Sequence, residues 1–431
     1  MRRLINPRPQ EITECLTRPE LQSNNLKDLV TKMRKDILFR GDIALIDYTA
    51  RYDRVNIRNL VMEKDEIEAF AATVSPELKE AIQSAAKNIS RFHESQRIEV
   101  KKIETAPGVV CWQEQKAIEK VGLYIPGGTA PLFSTVLMLG LPAQIAGCKE
   151  IVLCTPPNQE GKIAPAIAYA AQVAGITKIV TVGGVQAIIA MAYGTESIPS
   201  VDKIFGPGNQ YVTAAKQLVG MDKCAIDMPA GPSEVMVMAD KSAYPAFVAA
   251  DLLSQAEHGS DSQVILVTDH EPLLDAVEEE VNKQLEALGR KALANDALTN
   301  SVMIYVDGQD KMVDIANQYA AEHLIIATEN PSDIATQIRH AGSVFMGHYT
   351  PESAGDYASG TNHTLPTNGW ARSYSGVNLD AFTKKITYQE ISAVGLQSIG
   401  NTIEVMAAAE SLDAHKNAVT VRLKQLSSNE I

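Results

Sequence analysis

Two textures of hydrophobic spacing divide the chain. From Leu26 to Phe39 apolar residues return at helical intervals (Leu26, Leu29, Met33, Ile37, Leu38), which predicts an amphipathic helix. Ser75-Pro76-Glu77 reads as a helix start, with a capping serine and proline at the first helical position. That helix is predicted to run to about His93. From Val121 onward, short apolar runs alternate with helix-like segments. Residues 121–125, 151–154, 178–182 and 203–205 read as buried strands, with helices between them at 137–146, 164–174 and 185–192. A second series starts near Glu234. Its strands are expected at 235–238, 264–267, 303–305, 324–326 and 343–345, and its helices around 245–257, 273–288, 312–319 and 334–340. Such alternation implies parallel sheets covered by helices on both faces.

The expected fold class is therefore α/β, with two doubly wound, incomplete Rossmann-like parallel-sheet domains, N-terminal helices and a C-terminal helical tail. The boundaries drawn are an N-terminal extension at 1–24, one α/β domain from 25–120 plus 235–380, another at 121–234, and the tail at 381–431.

Composition narrows the function classes. At 431 residues the chain exceeds one typical core, and 45% hydrophobic with 21% charged residues is ordinary for a soluble globular protein. A net charge of −13 without a long Lys/Arg run argues against a nucleic-acid partner. No apolar run approaches bilayer length, and the arginines of Met1–Pro7 have no apolar stretch behind them, so neither a membrane span nor a signal peptide is read. The five cysteines form no CxxC pair and are odd in number, which points to reduced thiols and a cytoplasmic setting. Cys148 and Cys154 could be nucleophiles, but their small, apolar neighbours favour a buried packing role.

The chemistry concentrates in a few segments. In Ser254-Gln255-Ala256-Glu257-His258, Gln255 and His258 share one helix face, half of a metal site. The other half is suggested by Asp356 and by His415, and two imidazoles with oxygen ligands suit zinc. Against this, His415 in a helical tail also reads as an exposed surface histidine. Glycine turns follow three strands of the first series: Tyr124-Ile125-Pro126-Gly127-Gly128, Gly183-Gly184-Val185-Gln186 and Gly206-Pro207-Gly208-Asn209. Together they point to a nucleotide crevice at the carboxyl ends of the strands, although no GxGxxG is present and each alone is an ordinary tight connection. Met228–Glu234 reads either as a rigid hinge or as a substrate contact through Ser233. Glu322-His323 could be an acid/base pair, though at a strand start it reads equally as an ordinary satisfied pair. Residues 350–368 form a Gly/Ser/Thr/Pro-rich stretch without periodicity, of the kind that carries function, and Asp356 and His363 lie in it.

Seven segments, in order, carry a resemblance. They are Gly122–Gly128, Ile204–Asn209, Asp227–Glu234, Leu253–Gly259, Glu322–Leu324, Ser353–His363 and Ala414–Asn417. The chain from about 25 to 425 closely resembles the histidinol dehydrogenase family. That resemblance implies NAD-dependent, four-electron oxidation of L-histidinol through the aldehyde to L-histidine, the last two steps of histidine biosynthesis. It also implies one zinc ion per subunit and a homodimer with a shared active site. By position, Gln255, His258, Asp356 and His415 would be the zinc ligands, His415 coming from the neighbouring subunit, so that 381–431 would be a dimerisation tail. Glu322 and His323 would be the acid/base pair. Ser233, Glu352, His363 and Glu410 would contact substrate, as would His323 and the metal ligands. Tyr124, Gln186 and Asn209 would contact NAD, making 121–234 the nucleotide domain. The nearest alternative is a sister zinc/NAD dehydrogenase acting on another small alcohol such as a sulfonated diol.

Overall fold

The computed structural model describes residues 1–18, 24–127, 131–229 and 231–428. Gly128 and Ala230, named in the turn segments above, and residues 19–23 of the N-terminal extension lie outside them. The chain divides into two compact units, Met1–Gln96 with Ile118–Phe382, and Arg97–Ala117 with Thr383–Ile431.

The first unit holds two six-stranded sheets. One runs Val61–Met62, Ile179–Val180, Glu150–Cys154, Lys120–Tyr124, Lys203–Phe205, Ala225–Ile226, parallel except at its Val61–Met62 edge. The other runs Arg2–Ile5, Val302–Tyr305, Gln263–Thr268, Glu234–Ala239, His323–Ala327, Ser343–Met346, parallel throughout. In each, the first strand of the series lies centrally. The chain winds outward on one side, then returns to wind outward on the other, which leaves a switch point beside that strand. The unbroken apolar strands follow from two-sided burial. Val235 and Val237 pack in one core with Leu252 and Leu253, whereas Met236 and Met238 face a second core with Ile315 and Tyr319.

Three sequence expectations are corrected. Residues 25–120 were grouped with 235–380, but Val30, Met33 and Ile37 pack against Val180 and Ile188, Ile82 and Ile89 join Leu137, and Val61–Met62 pairs with Ile179–Val180. Their apolar faces thus cover the first sheet. The extension at 1–24 contributes Arg2–Ile5 as an edge strand of the second sheet, largely exposed, which is why its arginines concealed it. Within the stretch 350–368 lies the short helix Glu352–Tyr357.

The second unit is a three-stranded antiparallel sheet, ordered Thr383–Ile391, Val109–Ala117, Ile103–Ala106, with the paired helices Ala393–Ala409 and Asp413–Ser428. The C-terminal helical tail is therefore present but opens with a nine-residue strand. That strand's partner lies far upstream in the sequence, beyond the reach of a local pattern. Among the described residues, no helix is long and apolar enough to cross a membrane.

Candidate active site

A cavity of about 330 Å³ is lined by Ser233, Gln255, His258, His323, Asp356 and His363, among others. Ser233 and Glu322-His323 precede or open adjacent strands, Glu234–Ala239 and His323–Ala327, so they stand together at the amino edge of the second sheet. The helix Pro245–Ala256 leaves the far end of the first of these strands and returns its own C-terminal end to that edge, carrying Gln255, with His258 in the turn just beyond it. Helix Glu352–Tyr357 brings Asp356, with the buried Glu352 in its first turn.

The backbone of one residue organises Glu322 and His323. The Glu234 N–H donates to Glu322 Oε2 at 2.9 Å, and the Glu234 carbonyl lies 3.3 Å from His323 Nδ1. A carbonyl only accepts, so Nδ1 is the donor and Nε2 is left facing other partners. Nε2 is buried without a hydrogen bond and lies 3.6 Å from Asp356 Oδ1. His363 Nδ1 donates to the Asp356 carbonyl at 3.0 Å, and its Nε2 meets the Thr135 hydroxyl at 3.1 Å.

The donor set fits a metal ion. Ligand atoms of His258, Glu352 and Asp356 lie within 4.8 Å of one another. Both side-chain polar atoms of Gln255 are buried with no partner, as is Glu352 Oε1. Unmet polar atoms beside a His and a carboxylate are what an absent cation leaves behind, and nitrogen with carboxylate oxygen suits zinc.

Six acidic or imidazole groups share this small volume, and their proton affinities shift together. Burial pushes Glu322 up to about 7. Burial alone would lower His323, but Glu352, Glu322 and Asp356 outweigh it and raise the imidazole to about 10. Desolvation works against Asp356 too, yet His323 holds its carboxyl below the usual range, while burial raises Glu352. Desolvation by packed neighbours lowers His363, and also His258 although that residue stays exposed, which favours the neutral imidazole in both. A neutral imidazole is the form that binds metal.

A larger cavity, about 770 Å³, lies at the carboxyl ends of the first sheet and includes Tyr124, Gln186 and Asn209. The two cavities share Pro126 and Asn209. Tyr124 Oη accepts from the Gly184 N–H at 3.1 Å, and Asn209 Oδ1 caps the helix Gln210–Gly220 through Tyr211 and Val212. Gly206 has φ +125°, and a Cβ there would lie 2.0 Å from the Tyr124 carbonyl oxygen. Only glycine lets this turn close on Tyr124. The remaining expected residues, Glu410 and His415, belong to the second unit, where Glu410 ends the helix Ala393–Ala409 and His415 is exposed in the first turn of the last helix.

Some contributors gave no local signal. Lys216 and Asp227 form a buried ion pair. Lys216 Nζ donates to the Gly206 carbonyl at 2.8 Å, and Asp227 accepts from the Gly206 and Met228 N–H groups, so the pair locks the glycine turn. A lysine in a helix gives no sign of this partner. Asp53 lines the larger cavity with Oδ2 buried and unpartnered, and burial raises it to about 6.

Comparison with known proteins agrees with this geometry. The histidinol dehydrogenase family model matches residues 16–423. A histidinol dehydrogenase of Bacteroides thetaiotaomicron is 59% identical over 427 residues, covering 99% of this chain and 100% of that protein. One from Bacteroides fragilis is 58% identical over 426 residues, again covering 99% and 100%. The crystal structure of histidinol dehydrogenase from Elizabethkingia anophelis superposes with a TM-score of 0.97 at 55% identity, covering 99% of both chains. This chain belongs to the histidinol dehydrogenase family.

Proposed function

We propose that this chain oxidises L-histidinol through L-histidinaldehyde to L-histidine, reducing two NAD⁺ per turnover, in the last two steps of histidine biosynthesis. The observation that carries this reading is the meeting of two cavities. One holds Glu322, His323 and a metal-fitting donor set, and the other lies at the carboxyl ends of the first sheet, where dinucleotides bind in such folds. Relatives at 58–59% identity bear the same activity in their names, which weighs against the sulfonated-diol alternative.

Gln255, His258 and Asp356 would hold one zinc ion per subunit, with His415 of a second subunit completing the set in a cytoplasmic homodimer. Exposed Val394, Val405 and Met406 on one helix, Val421 on the next and Leu412 between them supply apolar surface that supports such pairing. When bound, zinc supplies a cationic template for the substrate's imidazole and amine, and offsets the carboxylate field that otherwise keeps His323 protonated. NAD⁺, when bound beside Tyr124, Gln186 and Asn209, accepts a hydride in each oxidation.

His323 takes the hydroxyl proton at Nε2 in the first oxidation, because Nδ1 is committed to the Glu234 carbonyl. Glu322, whose carboxyl titrates at about 7, takes a proton from the water that adds to the aldehyde. His323 serves again when the hydrate is oxidised. Ser233, Glu352 and His363 orient the substrate, with Glu410 from the second unit. Closure of this cavity around bound substrate would keep the reactive aldehyde from bulk water.

The test is NADH formation from L-histidinol before and after chelation, then with zinc restored. Two NADH per substrate, lost on chelation and regained with zinc, is the expected result. Turnover untouched by complete metal removal would overturn the zinc assignment, and no NADH from the metal-loaded protein would overturn the function.

A further inference from the structure

Arg18 lies in the N-terminal segment, outside every motif of the site, and it grips the residue that holds the acid/base pair. Its Nε and Nη2 donate to the two carboxylate oxygens of Glu234 at 2.5 and 2.8 Å. Nη2 also donates to the Tyr319 carbonyl at 2.8 Å, and the guanidinium sits 4.0 Å above the buried Tyr319 ring. The Tyr319 hydroxyl donates to Gln263 Oε1 at 2.8 Å, and Gln263 Nε2 donates back to the Thr17 carbonyl at 3.2 Å. This closes a ring of contacts around the arginine. Glu234 is the pivot. Its carboxylate, 3% exposed, faces Arg18 and also accepts from the Asn368 N–H at 2.6 Å, while its backbone holds Glu322 and His323. The neighbouring Thr367 lines the substrate cavity and accepts from the Gly231 N–H.

We infer that Arg18 is a positioning residue for catalysis: through its two-pronged bond to Glu234 it fixes the backbone that sets Glu322 and His323. The inference rests on the roles proposed above for those two residues. The physical reason is the cost of a buried charge. Without Arg18 the Glu234 carboxylate keeps one backbone donor and no cation, in a place closed to water. It must move, admit water or take a proton, and each disturbs the one residue from which both catalytic groups hang. The fork matters as well as the charge, because a guanidinium meets both oxygens in one plane and an ammonium does not.

Steady-state kinetics of the full-length, zinc-loaded protein test this. Arg18→Met should lower kcat roughly ten- to a hundred-fold, as about an ångström of misplacement does. KM for L-histidinol and metal content should stay at wild-type values, since the proposed ligands do not touch Glu234. The double variant Arg18→Met/Glu234→Gln removes the stranded charge and should recover most of the lost turnover, which a general fold-maintenance role would not allow. Wild-type kcat in Arg18→Met overturns the inference, as does a double variant no better than the single one. Parallel loss of kcat and metal overturns it too. Should Arg18→Met be insoluble, the double variant decides alone: turnover near that of Glu234→Gln supports the clamp, and an inactive protein refutes it. Failure of the wild type to reduce NAD⁺ with L-histidinol would instead strike the proposed function.

Discussion

Glu322→Gln separates the two oxidations. The substitution keeps shape, and the new amide oxygen can still accept the Glu234 N–H that now bonds Oε2 at 2.9 Å. The side chain should therefore stay in place while losing its capacity to take a proton. A positioned general base contributes about a hundred- to ten-thousand-fold, which is roughly 3–5 kcal/mol of barrier. The loss falls on the step in which water adds to the aldehyde, since the first oxidation depends on His323. With L-histidinaldehyde as substrate, the variant should slow by that factor. With L-histidinol, the first hydride should pass in a single-turnover burst and the second should lag far behind. The wild-type rate of aldehyde oxidation should also rise with pH through about 7, as Glu322 loses its proton and becomes a base. Glu322→Gln should lose that limb. Stopped-flow NADH absorbance with each substrate, across pH 5.5–8.5, gives both readouts. Aldehyde oxidation at the wild-type rate in the variant, or an unchanged pH limb, would refute the assignment.

Two further expectations address the metal and the second subunit. Gln255 has both amide atoms buried and unpartnered, so Gln255→Leu removes no hydrogen bond from the metal-free protein. Its thermal midpoint should hold or rise, consistent with the cost of about 1–3 kcal/mol for an unsatisfied buried group, while zinc retained after dialysis should drop; undiminished zinc would exclude Gln255 as a ligand. Mixing inactive His415→Asn and Glu322→Gln subunits, with exchange allowed, should regenerate a fraction of sites with every residue intact. A mixture no more active than its parents counts against sharing.

Most strands and helices of both βαβ series were legible because two-sided burial writes itself as apolar runs, and helices between them repeat at their own period. Val235–Met238 and Val264–Val267 are examples. The helix expected at 334–340 is instead Pro331–Ala335, and Lys291–Thr299 was not read. Gln255 and His258 were paired by helix spacing, although the helix ends at Ala256 and His258 lies in the turn beyond it. Glu322-His323 could not be told from an ordinary strand start, and only the resemblance singled it out. The strand Arg2–Ile5 and the hairpin partner Thr383–Ile391 escaped because exposed strands lack an apolar signature.

What the chain's own pattern determined was the class of fold, with its two series of parallel strands, and the residue types able to hold a cation. Which edge of each sheet meets the other was decided only in three dimensions. The first sheet offers its carboxyl ends, whereas the second offers its amino ends, where Ser233, Glu234 and Glu322-His323 begin their strands. Likewise, the carboxylate field around His323 and the Arg18 clamp on Glu234 join residues scattered across the sequence. Periodicity reports how each segment is buried, but proton affinity and orientation depend on which charges arrive from elsewhere, and that is set by packing.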